Sequence, residues 1–321
     1  MSNGSVAAHH VFDQLLQRCR ASEPVATAVV APTTDVAMAG AVAALQQHII
    51  VPIFVGADRA IRRAAEAVGF DLAGHRLVEA ADDAEAARKG VALCRAGQAR
   101  VLMKGSLHTD VLMHAVLDHD DGLRGARRVS HVFVLDVPAY PRALLITDAA
   151  INIYPTLDEK VDIVLNAIDL AHALGIDMPN VALLSAAETV NPKITSTLDA
   201  AALCKMADRN QITGAVLDGP LAFDTAVSAD AARIKGLRSP VAGVADVLVV
   251  PDLESGNMLA KQLEYLGGAE LAGVVIGAKV PIVLTSRADD ARARLASCAV
   301  AACYANAYAN AGPHDTARAV V

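Results

Sequence analysis

The chain has 321 residues, enough for one large domain or two of ordinary size, and 54% of them are hydrophobic against 20% charged. Aromatic residues make up 3% and tryptophan is absent, so the core is built of Ala, Val, Leu and Ile, a palette suited to buried parallel strands under alanine-rich helices. A formal net charge of −7 excludes the basic balance of a nucleic-acid binder, and the lack of paired aromatics excludes a single-strand stacking platform.

The first residues, MSNGSVAAHHVFDQLLQRCR, carry no basic run ahead of an apolar core, so no signal peptide is expected. Apolar runs of strand length follow at 26–31 (ATAVVA), 49–55 (IIVPIFV), 76–79, 101–103, 131–137, 142–146, 181–185, 212–217, 245–250, 271–276 and 281–285. They are continuous Val/Ile/Leu runs rather than in/out alternations, which predicts strands buried on both faces. Segments with apolar residues at i, i+3 and i+4 lie between most of them. The clearest is 156–175, where Thr156 and Glu159 form a capping box, Val161, Val164, Leu165 and Ile168 form the stripe, and Gly175 ends the helix. This alternation predicts an α/β fold with mostly parallel sheets. The runs 131–137 and 142–146, joined by Pro138-Ala139-Tyr140-Pro141, break the rhythm and predict a hairpin or a segment crossing between domains. Lys279 and Pro281 split the run LAGVVIGAKVPIVL into strand-length pieces, far short of a membrane span. Cys19, Cys94, Cys204, Cys298 and Cys303 form no C-x-x-C pair and no Cys/His metal spacing, the pattern of reduced core thiols in a cytoplasmic protein.

In open α/β sheets ligands bind beyond the carboxyl ends of the strands. Four strand-to-helix junctions are rich in glycine and polar residues: MKGSLHT (103–109), DGPLAFD (218–224), PDLESGN (251–257) and TSRADD (285–290). Such loops in one chain predict one shared site. In the first, Lys104 ends a strand, Gly105 allows a tight turn, and His108-Thr109 open a helix, so an ammonium and exposed N–H groups are offered to an anion. As an ordinary turn, the same residues use Thr109 as an N-cap. Asp218 ends a strand, with Pro220 forbidding helix nearby, and is open to roles as base, metal ligand or turn residue. Asn257 begins a helix and is a good N-cap. The sequence has no P-loop, no GxGxxG after its first strands, no GxSxG elbow and no HExxH.

The fourth junction holds a conflict. Ser286 and Asp289 fit an S-x-x-D capping box, and Asp290 with Arg294 an i,i+4 pair; the cap alone is worth about 1 kcal/mol. Arg287 is left over, because a cation in the first turn opposes the helix dipole. A guanidinium there instead grips an anion docked on the helix N-terminus. A carboxylate beside that anion makes sense where a proton must be taken up. The residues therefore point to an anion and a base.

From about 101 to 303 the chain resembles the phosphate acetyltransferase/phosphate butyryltransferase family, through LMKGSLHTD, SHVFVLDVP, ITDAAINIYPT, VALLSAAETV, LDGPLAFD, SPVAGVADVLVVPDLESGN and PIVLTSRAD in order. DGPLAFD and VLTSRAD look closer to the butyryltransferase-like branch. The whole looks very like the transferase half fused behind an enoyl-CoA hydratase-like domain in some bacterial proteins. The resemblance implies two α/β domains with a cleft between them, of the isocitrate/isopropylmalate dehydrogenase kind. It places residues 1–146 and 274–321 in the first domain and 147–273 in an inserted second. It implies acyl-CoA + inorganic phosphate ⇌ acyl phosphate + CoA in a cytoplasmic homodimer, with no metal and no cofactor, coenzyme A being a substrate. Ser286 and Arg287 match the family's Ser-Arg at the CoA and acyl-phosphate site. Lys104, His108, Thr109, Ser130, Asp218 and Asn257 fall in matching stretches and are the expected substrate-binding residues.

Two departures bear on this. The family acetyltransferases carry the proposed base seven residues beyond that Ser, where this chain has Ala293, so Asp289 is expected as base, with Asp290 as the alternative. They also carry an Arg on the helix after the His-Thr loop, where this chain has His114 or a neighbour. Two other readings stay open. A metal- and NAD(P)-dependent dehydrogenase of the related fold would draw its metal ligands from Asp218, Asp246 and Asp252. A non-catalytic copy of the transferase domain is the other.

Overall fold

The computed structural model describes residues 11–285 and 290–309, and within them every predicted apolar run forms or overlaps a strand. The chain packs into two units, one of 12–129 with 272–309 and one of 130–271. In the first, α1 (Val11–Arg20) leads to β1 (Val25–Val30), α2 (Asp35–Gln46), β2 (Ile50–Gly56), α3 (Asp58–Ala67), β3 (Arg76–Glu79), α4 (Asp83–Arg95), β4 (Val101–Lys104) and α5 (Thr109–Val116). The chain returns to this unit through β10 (Glu270–Ile276), β11 (Ile282–Val283) and α11 (Ala291–Ala307). Its strands run in the order β3-β2-β1-β4-β11-β10, parallel except where β10 meets β11. β4 is buried along its whole length, whereas β3, at the edge, shows Arg76 and Glu79 to solvent. Charged ends on an edge strand discourage pairing with other chains.

The second unit holds β5 (Ser130–Asp136), β6 (Leu144–Thr147), α6 (Leu157–Ala173), β7 (Asn180–Leu184), α7 (Thr195–Asp208), β8 (Val216–Leu221), α8 (Phe223–Val227), α9 (Ala229–Ile234), β9 (Val247–Val249) and α10 (Leu253–Tyr265). Its order is β5-β6-β9-β7-β8, with β5 antiparallel to β6 and the rest parallel. The β5–β6 pair is the predicted hairpin, and it lies inside this unit, the division falling at 129/130. The core joins Phe133, Leu135, Leu144 and Ile146 of the hairpin to Ala182, Leu184 and Leu248 of the parallel strands.

Helix α6 obeys its sequence signals. Thr156 accepts from the Glu159 amide, the Glu159 carboxylate takes the Thr156 amide, and all of Val161, Val164, Leu165 and Ile168 are buried. Burial extends to Lys160, whose ammonium meets Asp199 of α7 at 2.6 Å. The run predicted at 212–217 is displaced, because the strand occupies 216–221. Gly214, at φ +83°, passes so close to His172 that an added Cβ would lie 2.8 Å from its ring, and the His172 Nε2 hydrogen-bonds the Gly214 carbonyl. That turn delays the strand. Asp218 is consequently inside β8 rather than at its end. Pro220 is tolerated there because β8 is an edge strand and its register against β7 slips next to Leu183.

His131, on β5, is fully enclosed, its ring edge against Phe133 with centroids 4.3 Å apart and its Nδ1 without a hydrogen-bond partner. Burial pushes its pKa down to about 4, against an opposing pull from Asp148. A histidine kept neutral in the fold but free to charge when unfolded costs stability as pH falls from about 6.5 toward 4, by up to about 3 kcal/mol. His131→Phe should therefore flatten the fall in melting temperature between pH 7 and pH 5. A variant that loses as much as the parent over that range would place the acid sensitivity elsewhere.

Candidate active site

The carboxyl ends of three neighbouring parallel strands, β1, β4 and β11, build one edge of the first unit. Their register sets the edge: Val30 lies opposite Lys104, and Val283 opposite Met103. Gly105 crosses so close to β1 that a Cβ would stand 2.4 Å from the carbonyl oxygens of both Val30 and Ala31. Its amide donates to Val30 at 2.8 Å, and the Ser106 amide donates to Ala31 at 2.8 Å. The Ser106 hydroxyl then accepts from the amides of Thr33 and Thr34 at 3.2 and 3.1 Å. Thr34 in turn caps α2, accepting from Ala37. The loops after β1 and β4 are thus laced into one platform by the short, polar Gly105-Ser106 pair.

Lys104 is buried, and its ammonium donates to the carbonyls of Leu107 at 3.2 Å and Gly105 at 3.4 Å. It shapes the loop from within while carrying its charge at the strand end. His108 is the N-cap of α5 and Thr109 the first helical residue, so Thr109 does not cap the helix as the ordinary-turn reading expected. Both are exposed. His114, further along α5, lines an open groove of about 870 Å³ with Arg88, Lys89 and Arg95 of α4.

Ser286, Arg287 and Asp289 lie outside the described residues, but both flanks of their segment are defined. Thr285 is buried and its hydroxyl accepts from the Arg294 guanidinium at 2.8 Å. Asp290 is the N-cap of α11, accepting from the Ala293 amide at 2.8 Å, and the helix begins at Ala291. The expected Ser286–Asp289 box falls outside the described residues; α11 itself is capped by Asp290 and begins at Ala291. A single Asp accepting from the amide three residues on needs no Ser-x-x-Asp partner. β11 runs parallel beside β4 with Val283 level with Met103, so residues 284–285 leave the sheet at the same end as the Lys104–Thr109 loop.

The other expected substrate residues belong to the second unit. Ser130 is fully buried and its hydroxyl accepts from Asn166 Nδ2 at 2.9 Å, a core contact between β5 and α6. Asn257 sits in the second turn of α10, not at its start. Asp252 is the cap, accepting from Ser255 at 2.8 Å in a reciprocal box, while Asn257 Nδ2 reaches the Ala149 carbonyl at 3.2 Å. Antiparallel pairing puts Ser130 at the same end as the last residue of β6, so Ser130 and Asn257 flank the segment that follows β6. Asp218 is level with Ile146 but three strands away, about 14 Å across the sheet. Its carboxylate accepts from the Gly219 amide at 2.8 Å. The other two aspartates of the metal-dependent reading have their own partners: Asp246 meets Arg142 at 3.1 Å and the Asn180 amide at 2.8 Å, and Asp252 caps α10.

Asp148 was not foreseen. It is buried, and its carboxylate accepts from the amides of Ala150, Ile151 and Asn152 and from the Asn152 side chain. The signal lay in the sequence as Asp-x-x-x-Asn straight after an apolar run, an Asp poised to fold the next residues around itself.

The family model for phosphate acetyl/butaryl transferases matches residues 79–302. A phosphate acetyltransferase of Rhizobium meliloti is 57% identical over 294 residues, covering 92% of this chain and 93% of that protein. A phosphate butyryltransferase of Clostridium acetobutylicum is 40% identical over 291 residues, covering 91% and 97%. The crystal structure of a branched-chain phosphotransacylase from Enterococcus faecalis V583 superimposes with a TM-score of 0.77 at 33% identity, covering 88% of this chain and 99% of that one. An α/β acyltransferase is the class these likenesses and the mostly parallel sheet define. The chain belongs to the phosphate acetyl/butyryl transferase family.

The close passage of Gly105 under β1 yields a direct test. Gly105→Ala must push two backbone carbonyls aside, so it should cost about 2–3 kcal/mol, at the upper end for overpacking, read as a lower melting temperature. An unchanged melting temperature would show that the loop yields without strain.

Proposed function

We propose that the protein transfers an acyl group between coenzyme A and inorganic phosphate, acyl-CoA + phosphate ⇌ acyl phosphate + CoA, with acetyl-CoA the first substrate to test. The observation that carries this is the strand edge itself, where β11 beside β4 brings the Lys104–Thr109 loop alongside the approach to Ser286-Arg287. The higher identity to an acetyltransferase than to a butyryltransferase supports the shorter acyl chain.

In this reading Arg287 grips the phosphoryl group of the acyl phosphate in a bidentate pair. Asp289 takes the proton of the CoA thiol, whose ordinary pKa is near ~8.5. The engagement of Asp290 with the Ala293 amide supports Asp289 over Asp290 as that base. The thiolate attacks the acyl carbon, the carbonyl oxygen takes up charge with a hydrogen bond from Ser286, and phosphate leaves. Transfer is direct, without a covalent enzyme intermediate, and uses coenzyme A as a substrate with no metal or further cofactor. Lys104, His108 and Thr109 supply positive charge and donors at the strand edge, and Ser130, Asp218 and Asn257 are assigned from their motifs to the substrate-binding side.

The protein is further proposed to work as a homodimer in the cytoplasm. No described helix is long and apolar enough to cross a membrane. An exposed apolar stripe runs along α10 through Met258, Tyr265 and Leu266, beside Ile153 and Tyr154, which are tied to the start of α10 by the Leu253 amide and the Glu254 carboxylate. Large apolar side chains left exposed together on one element support an interface there. Met258→Asp should shift the mass measured by light scattering from dimer to monomer. A parent protein that is already monomeric at working concentration would remove the assignment.

The reaction is tested by free-thiol release from acetyl-, propionyl- and butyryl-CoA, with and without phosphate and with NAD(P) reduction followed in parallel. Release should require phosphate and no nicotinamide should be reduced. Arg287→Ala should raise the phosphate KM at least ~10-fold, and Ser286→Ala should lower kcat by ~100-fold, the loss of one oxyanion donor. Thiol release by no acyl chain would favour a non-catalytic copy. An acyl-cysteine accumulating from acetyl phosphate would replace direct transfer by a covalent route.

A further inference from the structure

α1 and α11 come from opposite ends of the chain and meet thiol to thiol. Cys19 Sγ lies 3.1 Å from Cys303 Sγ, and Cys19 also reaches the Ala299 carbonyl at 3.3 Å, so its thiol is steered toward one face of α11. The two differ in environment. Cys19 is buried, while Cys303 is half-buried. The hydrogen bond from Cys19 holds the Cys303 thiol below its usual range, helped by the positive charge of Arg18 and opposed by burial. The same bond, with burial, pushes the Cys19 thiol up. Of the two, Cys303 is the thiol whose ionisation the contact favours and Cys19 the one whose ionisation it disfavours. The remaining thiols lack this arrangement. Cys94 and Cys298 are buried and pushed up to about 12 by desolvation. Cys298 lies against the Met103 sulfur at 3.7 Å, and Cys204 is likewise up at about 12, with its thiol on the Gly219 carbonyl at 3.7 Å.

We propose that Cys19 and Cys303 are a peroxide-reactive dithiol site that closes to an intramolecular disulfide, tying α1 to α11. The Cys303 thiolate attacks one oxygen of a hydroperoxide, breaking the O–O bond, and becomes a sulfenic acid as the other oxygen leaves as water or an alcohol. Cys19 then attacks the Cys303 sulfur, forming the S–S bond while the sulfenic oxygen leaves as water with the Cys19 proton. Two thiols lose two electrons and the hydroperoxide gains them. The sulfurs need to close by only about 1 Å to reach bonding distance, and a half-buried thiol with a resolving thiol already in contact is the arrangement that favours this course over further oxidation. The transfer reaction uses neither residue. α11 is the helix that Asp290 caps, so the disulfide would pin the far end of the same helix that begins just after the Ser286–Asp289 segment.

The test uses the full-length protein, reduced, freed of reductant and treated with stoichiometric hydrogen peroxide before alkylation in denaturant. Free thiols should fall from five to three, non-reducing peptide maps should show Cys19 joined to Cys303 within one chain, and dithiothreitol should restore all thiols. Cys303→Ser should lose its remaining thiols at least tenfold more slowly than the parent loses its first two. The parent's peptide map decides even where that variant folds poorly. Sulfinic acid at Cys303 without a cross-link, pairing through Cys94, Cys204 or Cys298, a disulfide between two chains, or thiols that resist this treatment would each overturn the proposal.

Discussion

Everything at the strand edge depends on β11 settling beside β4. Only Ile282 and Val283 form β11, yet they pair in parallel with Leu102 and Met103 and antiparallel with Val275 and Val274 of β10. This short insertion closes the first unit after the chain has built the whole of 130–271. Two ladders of hydrogen bonds hold this fully buried strand in register, because a slip would leave buried backbone groups unpaired. From that pairing follow the position of Thr285 and its bond to Arg294.

Small residues make the close packing around this edge possible. α11 buries Ala296, Ser297, Cys298, Ala299, Val300, Ala301 and Ala302, and α2 answers with Gly40, where an added Cβ would stand 3.1 Å from the Arg294 side chain. Ser297 also takes the Gly273 amide at 3.0 Å, tying α11 to β10. The same closeness brings Cys19 within reach of Cys303.

The second unit uses a different device. Antiparallel β5 and β6 deliver Asp148 to a buried position where it gathers four N–H donors. A carboxylate satisfied in this way is stable inside the protein, and it organises the residues after β6 that Asn257 also grips. His131, one strand away, is the neutral counterpart, a polar group held where charge is disfavoured.

The sequence alone determined what is local. Strand-length Val/Ile/Leu runs, the Thr156–Glu159 box and the stripe of α6 act within a few residues, and the structure repeats them closely. The family, too, was written in contiguous motifs. What tertiary structure decided is which local option wins where several exist: Asp252 over Asn257 as a cap, and an edge strand running through Asp218-Gly219-Pro220 after Gly214 had turned beneath His172. Asn257 is drawn to Ala149 and Gly214 to His172, partners far along the chain about which spacing between neighbours carries no information. The same holds for the pairing of Val283 with Met103 on one edge, and for Cys19 and Cys303, which are 284 residues apart in sequence and 3.1 Å apart in space.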